Sequence, residues 1–187
     1  RSRPPMIQPR KEVSPTIQVC QKVGREQARP LVSIVIPTKD SEKTLARCLD
    51  SIMGQTYQNI EILVVDNYSR DGTRDIAEKF GARVLLAGPE RSTQLNLGVK
   101  MTRGDYVYRV DSDFILEPTV VDEAVRACEV GGCDVVAIHN TSDPSISFWS
   151  KVRKLERDCY VDDTANIAAR FFKRVAFRSV GGFDGAL

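Results

Sequence analysis

GDYVYRVDSDFILEP, residues 104–118, is the stretch on which the reading of this chain turns. Gly104 and Asp105 signal a turn. Tyr106, Val107, Tyr108, Arg109 and Val110 then form an alternating, largely apolar segment, which predicts a strand. The segment stops at two carboxylates one residue apart, Asp111 and Asp113. In open α/β sheets the carboxyl end of a strand is where ligands bind. Two carboxylates placed there, with no cation close in sequence, repel each other unless a cation bridges them. Hard oxygen ligands, few in number, suit Mg²⁺ or Mn²⁺ completed by water and a substrate diphosphate. The bland alternative is that both aspartates cap the helix after Pro118 or solvate a turn. An isolated Asp-x-Asp is usually that, so the neighbouring stretches decide.

Upstream, LVSIVIP (31–37) and IEILVVD (60–66) are continuous apolar runs of the kind buried on both faces, the second ending on Asp66. Between them Ser41 is positioned to cap a helix whose Leu45, Cys48, Leu49 and Ile52 share one face, with Gly54 at its end. Residues 67–73 read as a turn, with Asp71 capping a short helix. Residues 82–86 read as a third strand, Gly88-Pro89 as a break, and 92–102 as a helix with Leu95, Val99 and Met101 partly buried. Downstream, a helix from Pro118 and Thr119 turns Val121, Ala124, Val125 and Cys128 inward and ends at Gly131-Gly132, before a fifth strand over 134–138. Strands alternating with helices at this spacing predict βαβ crossovers, hence a mostly parallel sheet with helices on both faces. Beyond Asn140 the pattern becomes a polar loop (141–147), a helix (148–158), a strand (168–172) and a short helix stopped by Gly181-Gly182.

Composition narrows the function classes. Residues 1–30 hold seven Lys/Arg against two Glu, net +5, while the remaining 20 basic and 23 acidic residues leave a body at −3. A mildly acidic body argues against a nucleic-acid partner. The first 30 residues, with five prolines, read as a flexible basic arm. A solvated tail is the simpler reading of the arm, and peripheral contact with an anionic membrane the lesser one. Five cysteines with no Cys-x-x-Cys pair suit free thiols in a reducing compartment. With no apolar run of membrane-spanning length and no signal peptide, the expectation is a cytoplasmic protein. His139, the only histidine, reads as a surface or core residue.

Four stretches then stand together: IVIPTKDSEKTLARCLDSI (34–52), EILVVDNYSRDGT (61–73), ERSTQLNLG (90–98) and GDYVYRVDSD (104–113). In this order and spacing they resemble the family 2 glycosyltransferases. A fifth, FFKRVAFRSVGGFD (171–184), is similar to the family segment before its acceptor-side acidic motif. The resemblance implies a GT-A fold, Rossmann-like and mostly parallel, over residues 31–187, with a nucleotide-binding part to about residue 139 and a partial acceptor side after it. It implies transfer of a sugar, with inversion, from a nucleotide-diphosphate sugar to an acceptor hydroxyl on a lipid, polysaccharide, protein or small molecule. Pro37, Thr38 and Asp40 resemble the loop bordering the base, and Asp66 the aspartate that hydrogen-bonds base or ribose. Arg91 and Asn96 resemble the family's pair near the nucleotide. Asp111 and Asp113 resemble its metal motif, with Mg²⁺ or Mn²⁺ as cofactor.

Two departures qualify the resemblance. The family usually has a second acid after Asp66, where this chain has Asn67. The family's usual catalytic base is expected shortly after Gly181-Gly182-Phe183-Asp184, and only Gly185, Ala186 and Leu187 follow Asp184 here. The base is therefore unassigned, with Asp158, Asp162 and Asp163 as minor candidates. A fragment that binds the donor without transferring sugar is one alternative. A haloacid-dehalogenase-like phosphohydrolase, for which YRVDSDF would supply nucleophile and acid, is another. Self-association is left open.

Overall fold

Residues 32–38 form the innermost strand because apolar side chains leave it on both faces and both edges are paired. β1 (Val32–Thr38) is buried at all seven positions. It pairs in parallel with β2 (Ile60–Asp66) on one side and β4 (Tyr106–Arg109) on the other. β3 (Arg83–Leu86) extends the parallel block beyond β2. The computed structural model describes residues 29–139 and 169–184. The expected basic arm up to residue 28, the polar loop over 141–147, the predicted helix over 148–158 and the acids Asp158, Asp162 and Asp163 lie outside those residues.

The sheet has six strands in the order β3-β2-β1-β4-β6-β5. β6 (Ala169–Lys173) runs antiparallel to β4, and β5 (Val135–Ala137) antiparallel to β6. The parallel architecture therefore holds for four strands. The fifth runs in the same direction as β4 but is separated from it, because a later segment returns and inserts between them. This is the GT-A topology, mixed at one edge.

Alternation along β1 divides the core. Ile34 and Ile36 face the layer made by α1 (Glu42–Met53), α2 (Thr73–Lys79) and α4 (Val120–Glu129), together with Tyr106, Tyr108 and Phe171. Val35 faces α3 (Arg91–Met101), with Val65, Val107 and Phe172. α5 (Arg174–Ser179) contributes Phe177 to this second face, stacked on Phe172 at 4.9 Å. The predicted inward faces of α1 and α4 are both buried as expected.

Two local expectations are corrected. Ser41 sits at the α1 N-terminus, but its hydroxyl donates to the Lys39 carbonyl and caps nothing. The free N–H groups there go instead to Thr73 Oγ1 (2.7 Å from Ser41 N) and Asp71 Oδ2 (3.1 Å from Glu42 N). Asp71 also accepts from Thr73 N at 3.1 Å, so one carboxylate serves two helix N-termini. Met101, expected to be partly buried, is exposed at the last residue of α3.

Candidate functional site

A cavity of about 590 Å³ opens at the carboxyl ends of β1, β2 and β4. Pro37 and Thr38 reach it from β1, Asn67 from the end of β2, and Pro89, Arg91 and Gln94 from the start of α3. Asp111, Ser112, Asp113 and Phe114 follow β4, and Lys39 and Arg170 complete the rim. Parallel strands are responsible: β1, β2 and β4 point the same way, so three separate loops leave the sheet side by side. A larger cavity of about 820 Å³, lined by Tyr57, Tyr106 and Glu129 among others, lies against the opposite, amino-terminal ends of the strands.

The two aspartates differ. The Asp111 carboxylate lies between two guanidiniums, with Arg91 on Oδ1 and Arg170 on Oδ2 at 3.0 Å. The premise that the aspartates lack a cationic partner overlooks Arg109, two residues before Asp111 along the chain, and fails outright in space. Asp113 is exposed at the rim, and no hydrogen bond or ion pair joins it to another described residue. Its charge is felt by Cys48, whose thiol is pushed up to about 12, first by burial and then by Asp113. Arg109, half-buried, leans over the Phe183 ring at 5.8 Å. Its pKa is held down to about 10 by burial and then by Arg170 and Arg91, so the three arginines form one cationic group.

Asp66, at the end of β2 as expected, is wholly buried and does not line the cavity. It accepts from Thr38 Oγ1 at 3.1 Å, from Ser69 N at 2.8 Å and from the Ser69 hydroxyl, with Arg74 Nε at 4.0 Å. It anchors the β2–α2 loop that carries Asn67. Asn67 does face the cavity: Nδ2 donates to the Pro89 carbonyl at 2.9 Å, and Oδ1 makes no hydrogen bond to another described residue. Asp40 lies beside the cavity in a left-handed backbone conformation (φ 45°) and accepts from Arg70 N at 2.9 Å, tying two loops together. Asn96 is turned away from it. Its amide both donates to and accepts from the Phe183 backbone, each at 2.9 Å, and so pins the turn at 181–184 onto α3. Asp184, the residue after which the catalytic base is expected, ends that turn. It is exposed and is not among the residues lining the cavity. Residues 185–187 lie outside the described residues. His139 is exposed.

Sequence reasoning did not single out Arg170, Gln94, Lys39 or Phe114. Gln94 had a signal, its position one turn into α3. Its Nε2 donates to the carbonyls of Thr38 (3.0 Å) and Val65 (2.6 Å), locking α3 to the strand ends. Arg170 had none, since 59 residues separate it from the carboxylate it meets.

A divalent cation fits this donor set in one way. No group of three or more His, Cys, Asp or Glu among the described residues could enclose a metal. Asp113 offers a single unencumbered carboxylate, which suits Mg²⁺ or Mn²⁺ completed by diphosphate oxygens and water.

The model of the family described as Glycosyl transferase family 2 matches residues 33–181, well over half of the chain. The chain belongs to this family. GlyG of Streptococcus pneumoniae is 33% identical over 113 residues, covering 57% of this chain and 38% of its own. GlyA of the same organism is 37% identical over 97 residues, covering 49% and 14%. The chain spans roughly a third of the length of the first curated relatives it matches, from 31% to 38%. Among solved structures, S. aureus TarS (residues 1–349) in complex with UDP is 25% identical, at a TM-score of 0.57, covering 63% of this chain and 37% of that one. The mannosyltransferase PcManGT of Pyrobaculum calidifontis, in complex with GDP-Man and Mn²⁺, superposes at 0.64 with 21% identity, covering 84% and 48%. At that identity the likeness is one of fold. Family membership displaces the phosphohydrolase reading, whose nucleophile belongs on a first strand. Here the Asp-x-Asp follows β4.

No helix among the described residues is long and apolar enough to cross a membrane.

Proposed function

We propose that the cavity is the donor site of a glycosyltransferase that moves a sugar from a nucleoside-diphospho-sugar to an acceptor hydroxyl. One observation carries this: a free carboxylate, Asp113, and two guanidiniums, Arg91 and Arg170, meet at the carboxyl ends of parallel strands. That combination suits a diphosphate and little else of comparable size. The base end falls to Pro37, Thr38, Asn67 and Pro89, the diphosphate end to Arg91, Arg170, Asp111 and Asp113.

Asn67 presents a free amide oxygen toward the base. Uracil and guanine each carry a ring N–H for such an acceptor, whereas adenine and cytosine present a bare ring nitrogen there. UDP in the TarS complex and GDP-Man in PcManGT agree with that choice. Asp66 acts one step behind, holding Thr38 and Ser69 so that Asn67 keeps its place. Asp113 would hold a Mg²⁺ or Mn²⁺ with Asp111 beside it, and such a cation offsets the charge that develops on the leaving diphosphate. Arg91 and Arg170 bind and orient the diphosphate. Asp111 and Asp113 are the only acidic groups lining the cavity among the described residues, and both are taken up by the diphosphate end, so no residue is assigned as the base for the acceptor hydroxyl.

Calorimetric titration with UDP, GDP, ADP and CDP in Mn²⁺ tests the reading. UDP or GDP should bind at least about tenfold more tightly than ADP and CDP, the cost of leaving the Asn67 amide oxygen without a donor once the base covers it. Failure of every nucleoside diphosphate to bind would sink it.

A further inference from the structure

Arg170 is the least exposed charged side chain of the cavity, at 10% against 18% for Asp111. β6 carries it there. The antiparallel register sets Phe171 opposite Tyr108, so Arg170 arrives where β4 delivers Asp111. Its guanidinium meets Asp111 Oδ2 at 3.0 Å and lies over the Phe114 ring at 4.6 Å. Arg91 takes the other oxygen of the same carboxylate. One carboxylate thus serves two guanidiniums, and a buried guanidinium needs full compensation. Counted over the lining residues, Lys39, Arg91 and Arg170 face Asp111 and Asp113, and the cavity is left net positive. A carboxylate pair by itself would repel an anion and make a bridging cation obligatory. This cavity is built the other way round.

We propose that Arg170, paired with Arg91 across Asp111, is the diphosphate clamp of this chain, so that a nucleoside diphosphate binds it without a divalent cation. The inference rests on reading the cavity as the donor site. Asp111 is then a positioning residue: its two oxygens keep the guanidiniums a fixed distance apart. Each guanidinium carries five N–H donors, so neither has to leave Asp111 to take a phosphate oxygen. Phe114 fixes the plane of Arg170 from one side. Asp113 stays available to a cation, whose contribution is confined to the reacting state.

The test is calorimetric titration of UDP, GDP, uridine and guanosine into the full chain, in EDTA and in Mn²⁺, for wild type, Arg170→Gln and Arg170→Lys. Circular dichroism establishes that each variant is folded. In EDTA the wild type should bind its preferred diphosphate within about threefold of its affinity in Mn²⁺, while Arg170→Gln loses about tenfold or more. Nucleoside affinity should stay unchanged, and Arg170→Lys, which keeps the charge without the fork, should recover part of the loss. Binding that needs Mn²⁺ in the wild type would overturn the inference and leave the donor-site reading standing. Metal-free binding untouched by Arg170→Gln would also overturn it, since the clamp would lie elsewhere. If Arg170→Gln does not fold, a folded Arg170→Lys with undiminished metal-free affinity would overturn it in the same way. Absence of binding in both media would overturn inference and reading together.

Discussion

Asp66 and Asn67 are adjacent in sequence and do different work. Asp66 is fully buried and accepts from Thr38 and Ser69, whereas Asn67 faces the cavity. Asp66→Asn puts an amide donor where an acceptor is required. It should cost about 1.5–3 kcal/mol of stability, the usual value of hydrogen bonds to a buried charge, and urea denaturation measures it. Asn67→Ala should leave stability within about 1 kcal/mol while erasing discrimination between UDP or GDP and ADP. The reverse pattern, with Asp66→Asn neutral to folding, would return the base contact to Asp66. Cysteine reactivity separates in the same fashion. Cys48 and Cys128 are buried and Cys133 is exposed. Burial, and then Asp113, push the Cys48 thiol up to about 12, which leaves almost no thiolate at neutral pH. Brief iodoacetamide treatment followed by peptide mass mapping should find Cys133 alkylated while Cys48 and Cys128 are protected until the protein unfolds. Early modification of Cys48 would mean that the α1–β4 contact opens readily.

At the scale of elements, α3 holds the site together. Arg91 at its start faces Asp111, Gln94 grips the ends of β1 and β2, and Asn96 pins the 181–184 turn. All three need α3 close to the sheet, and Gly98 permits that approach: a Cβ there would lie 2.4 Å from Val35 Cγ1 and 3.2 Å from Val65 Cγ2. Replacing a helix glycine by alanine ordinarily gains up to about 1 kcal/mol. Here the incoming methyl meets a packed core, where overpacking costs about 1–3 kcal/mol. The second effect wins, because Val35 is fully buried and has nowhere to move. Gly98→Ala should therefore lower the melting temperature and weaken nucleotide binding together. A stabilised variant would show that α3 rides higher on the sheet than the structure has it.

Over the whole molecule, the sheet buries aromatic phenols near both ends. Tyr57 and Tyr108 are almost fully buried, and burial raises each from the ordinary 10 to about 12. Tyr106, whose hydroxyl donates to Glu129, is raised as well, by burial and then by that bond. A phenol whose folded pKa exceeds its unfolded value contributes stability that is complete below the unfolded pKa and is lost as pH rises through the folded one. The buried Cys48 thiol, raised from its ordinary 9 to about 12, behaves in the same way, so the melting temperature should hold up to about pH 9 and drop from there to about 12, most steeply above 10 where the phenols join. Tyr108→Phe should shallow that alkaline limb even if it costs stability at neutral pH. A melting temperature level to pH 12 would refute the assignment.

Much of this was present in local pattern. Strands β1, β2 and β4, the inward faces of α1 and α4, and the position of Asp111 and Asp113 at a strand's carboxyl end all follow from periodicities of two and 3.6 residues, which depend only on neighbours along the chain. The parallel block follows too, because a strand, helix and strand at this spacing close in one sense. The environment of each carboxylate was not legible. Asp66 looks like Asp111 in sequence, each ending an apolar strand. Folding buries one under Thr38 and Ser69 and sets the other between two arginines. The Asp71 carboxylate reaches a second helix for the same reason, as two loops leave neighbouring strands side by side. Arg170 is the sharpest instance. It meets Asp111 only because β6 turns back antiparallel against β4 in one register, and a shift of one residue would send it to the other face. Local pattern settled the alternation of elements and the end of the sheet at which chemistry is placed. The charge of the site, and which carboxylate is free to act in it, were decided by strand order and register, because these bring together residues whose separation along the chain carries no local signal.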